Sequence, residues 1–303
     1  MASNSVTPRT TIDQILSHPD FLAARALYIE ECTRVYKMGV FPGNFGADAG
    51  RVTMLAVIVC LHARYAEHDR ETWPTLKRLK ETVASFGFAS ARFVDNFVAR
   101  LVQTKFLELH QHPSDKRIRL LVPTELLLAW DREWMAAHFG PLALLFPEPG
   151  YPLALERNPD FQKAHGSASV PVLEGAVQVA WRNLDVVFFL TATSALSVLF
   201  KLCQLGGETQ ESSIREADLA ALTSQLGVSR SHIRNILLAA EQRGFTVRHG
   251  DKNQFVMLTP LWIAAFDRFI ADSLSYSDLT YQLGCQALAK MKSSNKNKTS
   301  PSP

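Results

Sequence analysis

The chain has 303 residues, 47% hydrophobic and 20% charged, an ordinary globular composition with length for about two domains. That excludes wholesale disorder, collagen-like repeats and a fold dependent on disulfide or metal staples. The net charge of +3 comes from 32 basic and 29 acidic residues, but the segment 286–303 holds Lys290, Lys292, Lys296 and Lys298 and no acid, so the rest of the chain is near neutral at 28 against 29. Total charge is therefore no argument for a nucleic-acid partner, and local charge has to supply one.

Residues 1–11 are polar, without the apolar stretch of a secretion signal. Segment 21–38 reads as an amphipathic helix, with Phe21, Leu22, Ala26, Leu27, Ile29, Val35 and Tyr36 on its apolar side. Gly39–Gly46 reads as a loop, not a phosphate cradle, because no Lys-Ser/Thr pair follows it. Helices are predicted over 52–66, 73–84 and 90–104, the last two separated by a turn at Gly87. Ser90 is placed to cap the third. Strands follow at 106–112 and 118–122 around Pro113–Arg117, then a helix over 125–139. The join 141–151, rich in proline, reads as a stiff linker.

The second half repeats this order. An apolar helix is predicted over 186–205, then helices over 215–226 and 229–243 with Gly227 between them. Strands at 245–249 and 254–258 and a helix from Thr259-Pro260 follow. The uncharged run 186–200 has fifteen residues, fewer than the roughly twenty of a membrane span, and reads as a core helix. The two halves also match residue by residue. His18-Pro19-Asp20-Phe21 recurs as Asn158-Pro159-Asp160-Phe161 at an offset of 140. Ser90, Asn96, Gln103 and Phe106 recur at 139, and Asp115-Lys116 and Ala129-Trp130-Asp131-Arg132 at 136. Collinear matches of this kind mark an internal duplication. The expected organisation is a first unit over 12–140, a linker over 141–151, a second unit over 152–290 and a disordered basic tail over 291–303. The fold class is α+β, mainly helical, with two winged helix-turn-helix units related by a pseudo-two-fold.

The first hairpin, from His112 to Glu125, resembles the wing of MarR-type regulators, in which an Asp-x-Arg turn precedes an apolar strand and a Thr-initiated helix. Here these are Asp115, Arg117 and Thr124. The second hairpin keeps Asp251 and Thr259 but has Asn253 where the wing arginine is expected. The resemblance implies a covalent pseudodimer that is monomeric as a chain, with the terminal helices of each half at the interface. It also implies a pocket for a small aromatic effector near Trp130, Trp134, Trp181 or Trp262. Plain core packing of these tryptophans is the preferred alternative.

Arginine can make two parallel bonds to guanine, and asparagine can pair both ways with adenine, in the major groove. On helix 90–104 the core stripe Val94, Phe97, Val98 and Leu101 leaves Arg92 and Asn96 facing outward beside Asp95. On helix 229–243 the outward set is Arg230, Ser231, Arg234 and Asn235. Wing candidates for DNA contact are Lys116, Arg117 and Arg119 in the first half and Arg248 and Lys252 in the second. Residues 72–119 carry nine basic and four acidic residues, and 215–252 carry six and four, so the first half should grip phosphate more strongly.

No His/Cys/Asp cluster has metal-ligand spacing, no nucleophile–base pair stands out, and the four cysteines read as reduced thiols. The chain is thus expected to be a cytoplasmic, non-enzymatic, sequence-specific binder of double-stranded DNA that regulates transcription, needing no cofactor and no membrane. The alternatives are a tandem winged-helix module that binds protein, or a plasmid replication initiator.

Overall fold

The computed structural model describes residues 7–37, 49–87, 89–206 and 212–299. The glycine loop expected at 39–46 lies outside them. The chain is mainly helical with two small antiparallel sheets.

Thr11 opens α1 (Ile12–Leu16). Its hydroxyl accepts from the Gln14 amide while the Gln14 side chain accepts from the Thr11 amide, so two free donors of the first turn are satisfied. Next come α2 (Phe21–Lys37), α3 (Ala49–Ala63), α4 (Leu76–Ala84), α5 (Ala91–Gln103), the hairpin of β1 (Leu107–His112) and β2 (Asp115–Pro123), and α6 (Glu125–Leu145). The second half contains α7 (Pro152–Leu155), α8 (Pro159–Ser169), α9 (Leu173–Arg182), α10 (Leu184–Thr191), α11 (Ala195–Leu205), β3 (Ile214–Arg215), α12 (Ala221–Leu226), α13 (Arg230–Gln242), β4 (Thr246–His249), β5 (Phe255–Leu258) and α14 (Pro260–Thr299).

The duplication recurs at the level of single hydrogen bonds. Ser90 and Ser229 each cap a thirteen-residue helix by accepting from an amide three residues on, that of Phe93 or His232. Each helix ends through a left-handed residue, Lys105 or Gly244. The next amide, of Phe106 or Phe245, returns to the carbonyl of Leu101 or Ala240. The hydroxyls of Thr124 and Thr259 then each donate to the carbonyl of that left-handed residue, at 2.8 and 2.7 Å. In both halves a short segment before the second helix reaches the hairpin: Thr75 bridges to Leu120, and β3 pairs with β5.

Several elements depart from their predicted bounds. Arg215 belongs to β3, and α12 begins only at Ala221, after a 3-10 turn. α4 starts at Leu76, because Pro74 disfavours helical backbone at Trp73, where ψ is 122°. The apolar helix expected over 186–205 is two helices, α10 and α11, bent by 112° at a break where Ser194 is left-handed. The bend lets both arms bury apolar side chains, including Val186, Phe189, Val198 and Leu199. Among the described residues no single helix is long and apolar enough to cross a membrane.

The proline-rich join is not a free linker. α6 runs through Pro141 to Leu145, and Leu142, Leu145 and Tyr151 are buried. The Tyr151 hydroxyl donates to Asp278, which also receives the Arg9 guanidinium, the Thr10 amide and the Gln282 side-chain amide. Apolar burial therefore makes this segment part of the core and not a connector between separate units. At the other end α14 continues to Thr299, so the stretch expected to be disordered from 291 is helical to that residue.

Two apolar clusters form. One is built from α3 to α6, with Val35 of α2 and Val177 of α9. The other takes α1, most of α2 and the end of α6 into the second half. The halves thus exchange helices. Arg25 on α2 makes a two-oxygen contact with Asp267 on α14, with Nη1 at 3.0 and 3.1 Å. At the matching place Gln162 on α8 donates to Asp131 on α6 at 2.7 Å.

Candidate nucleic-acid interface

The spacing that makes α5 amphipathic also sets what it presents. Val94, Phe97, Val98 and Leu101 are buried, while Arg92, Asp95 and Asn96 are exposed. Lys80 on α4 meets Asp95 at 2.6 Å. The one acid on this face is therefore partly neutralised, which reduces its repulsion of phosphate.

The hairpin turn is tighter than expected. His112 pairs with Asp115, so Lys116 and Arg117 lie at the start of β2 and not in a loop. Arg117 stays 91% exposed although it donates to both oxygens of Asp115. That contact holds the Asp115 carboxyl below its ordinary range. The ring of His112 stacks on Trp73 at 3.7 Å, and its Nδ1 accepts from the Ser114 amide. Together with the Leu121 amide donating to the Pro74 carbonyl at 2.7 Å, this anchors the hairpin's turn end and its second strand to the segment leading into α4.

The anchoring creates a groove that the sequence reading missed. Arg70, Lys77 and Arg78 line it with Arg117 and Arg119, and Glu71 and Glu81 are its acids. Glu71 is paired with Arg78 at 2.8 Å. Lys77 and Arg78 counted only toward local charge, because nothing in the sequence ties α4 to the hairpin; the Thr75–Leu120 bridge does so.

In the second half α13 buries Ile233, Ile236, Leu237 and Ala240 and exposes Arg230, Ser231, Arg234 and Asn235. Arg234 faces Glu216 at 3.4 Å, and the His232 ring meets the Thr193 carbonyl at 3.0 Å. The expectation for Arg248 is corrected. Its side chain is only 9% exposed and turns back onto α13, where its backbone amide and Nε bind the two oxygens of Glu241. Arg117 is also paired with a carboxylate but stays in solvent, whereas Arg248 is nearly buried as well as paired, which withdraws it from phosphate. Lys252 remains exposed at the turn, in left-handed backbone with φ 58°.

The structure thus brings Arg92, Asn96, Lys116, Arg117 and Arg119 to exposed positions in the first half. In the second it leaves Arg230, Ser231, Arg234, Asn235 and Lys252. No protein-family model, curated protein or solved structure matches the chain.

Proposed function

We propose that the chain is a sequence-specific, cytoplasmic DNA-binding transcription regulator. In this reading it is two MarR-like winged helices fused into a covalent pseudodimer. The observation that carries it is a Ser-capped helix exposing Arg92 and Asn96 one turn apart, beside a hairpin exposing Lys116, Arg117 and Arg119. Arginine and asparagine at that separation suit base edges, and the hairpin cations suit phosphate or the minor groove. The first half is the stronger reader, because Arg234 and Arg248 of the second are engaged by Glu216 and Glu241.

That same engagement favours one other reading: a second half that binds protein, with DNA contacted by the first half alone. Fluorescence anisotropy with duplexes from the chain's own promoter region tests the regulator reading, and Arg230→Ala with Asn235→Ala, which should relax one half-site only if the second half touches DNA, separates the two. The regulator reading expects a preferred site at least a thousandfold tighter than random duplex. Binding that random duplex abolishes at equal concentration would end it.

A further inference from the structure

A cavity of about 290 Å³ lies between the two halves, walled by α2, α3, α6, α8, α9, α10, α11 and α14. Residues at its edge differ between matched positions of the two halves. In the duplication Arg25 corresponds to His165, and Asp267 to Asp131. On one side Arg25 on α2 reaches Asp267 on α14. On the other side the residue at that position is the shorter His165. Gln162 takes the Asp131 carboxylate instead, and Asp131 and His165 both line the cavity.

The wall is mainly apolar, and among the described residues lining it there is no Lys or Arg. Its polar groups are uncharged or acidic. The Trp134 carbonyl can only accept, so His138 donates to it through Nδ1, at 2.9 Å, and retains a lone pair on Nε2. Burial lowers both His138 and His165 to about 4, so both rings are neutral at physiological pH. His165 Nε2 and Ser169 Oγ are buried without a hydrogen-bond partner in the protein. Buried polar atoms rarely stay that way, because the lost bonds to water are not recovered. A ligand that offered one polar group to this pair would recover them.

We infer that this cavity binds a neutral, largely apolar small molecule carrying one hydrogen-bonding group, and that it rejects organic anions. An anion would meet no cation and would face the Asp131 carboxylate across a poorly screened wall. An ammonium would be drawn to Asp131, but one carboxylate already bonded to Gln162 does not repay the hydration lost in an otherwise uncharged wall. Of the tryptophans considered from sequence, Trp134 lines the cavity, whereas Trp130, Trp181 and Trp262 do not. The inference is independent of DNA binding.

The test uses the full chain and the uncharged dye N-phenyl-1-naphthylamine, whose fluorescence rises in apolar surroundings. Saturable binding near one dye per chain is expected. Three competitors share one ring system and differ in charge: 1-naphthamide, 1-naphthoate and 1-naphthylmethylamine. The amide should displace the dye at least tenfold more effectively than either charged compound. Ala56→Phe, which places a ring in the cavity, and His165→Arg, which restores the residue of the other half, should each weaken dye binding at least tenfold, with folding checked by circular dichroism. Dye binding retained in both folded variants would overturn the inference. Should they fail to fold, the competition on the unmodified chain decides: displacement by the acid or the amine as good as by the amide, or binding that never saturates, overturns it equally.

Discussion

Arg92 and Asn96 are separated by one helical turn, so both can reach adjacent base edges while Val94 and Phe97 hold the helix to its core. Replacing Arg92 by Ala should relax specificity in one half-site by about 1–3 kcal/mol. The other half-site should be unaffected, because its matched residue is Ser231. Randomised-site selection on both proteins checks this, and equal change in both half-sites would refute the asymmetric reading. A second residue-scale expectation concerns Asp131. Burial raises its carboxyl to about 6, against the opposing hydrogen bond from Gln162 and the charge of Arg132. The folded state then holds a proton over a range where the unfolded chain has released it. The associated stability is full below about pH 4 and is lost as pH rises toward and through 6. Asp131→Asn has no proton to lose and can still accept from Gln162. Its stability relative to the unmodified chain should therefore rise between pH 4 and pH 7, as measured by urea unfolding at both values. A constant difference would show that Asp131 does not titrate in this window.

At the scale of elements the two hairpins differ more than their shared topology suggests. The first is pinned near its turn by the His112–Trp73 stack and carries three exposed cations. The second returns Arg248 to α13 and keeps only Lys252 outward. Replacing Lys116 and Arg117 together by Ala should weaken binding on all duplexes and flatten the logarithmic salt slope by about one to two. Arg248→Ala should leave the slope unchanged and lower stability instead, because it removes a nearly buried partner of Glu241. Salt titrations by anisotropy, with thermal melts of each variant, separate these outcomes. A slope altered by Arg248→Ala would put that side chain back at the interface.

At the scale of the molecule, the exchange of α1 and α2 into the core of the second half makes one folded body from two repeats. Arg25 is 4% and Asp267 19% exposed, so removing the arginine leaves a carboxylate poorly solvated between the halves. Arg25→Ala should lower stability by about 2–4 kcal/mol, toward the lower side of the range for broken buried pairs because Asp267 keeps some solvent. Loss of under about 0.5 kcal/mol in urea unfolding would count against its bridging role. Since the helices that would join two subunits are engaged within the chain, light scattering should report one chain mass in solution. A stable dimer would contradict the pseudodimer reading.

The residue pattern by itself gave the recurring residues of the two halves, the order of helix, helix and hairpin in each, and the outward faces of α5 and α13, but not α1, α7 to α9 or β3. Those features depend on local rules: a serine oxygen finds the free amides of a first turn, and a 3.6-residue period sorts buried from exposed positions. The turn residues Pro113–Arg117 and Gly250–Asn253 marked the hairpins by equally local rules. Three other features were settled only by tertiary packing. Arg248 is an unremarkable strand cation until Glu241 lies beside it. The basic groove at Arg70 and Arg78 requires the bridge between Thr75 and Leu120, residues 45 apart in sequence. The run 186–205 has the composition of one helix, and what breaks it is the gain from burying both arms against a core to which α1 and α2 also contribute. The cavity beside His165 belongs to this second group. A histidine at the position matching Arg25 is visible in the sequence, but the cavity it lines is walled by eight helices that only the folded chain brings together.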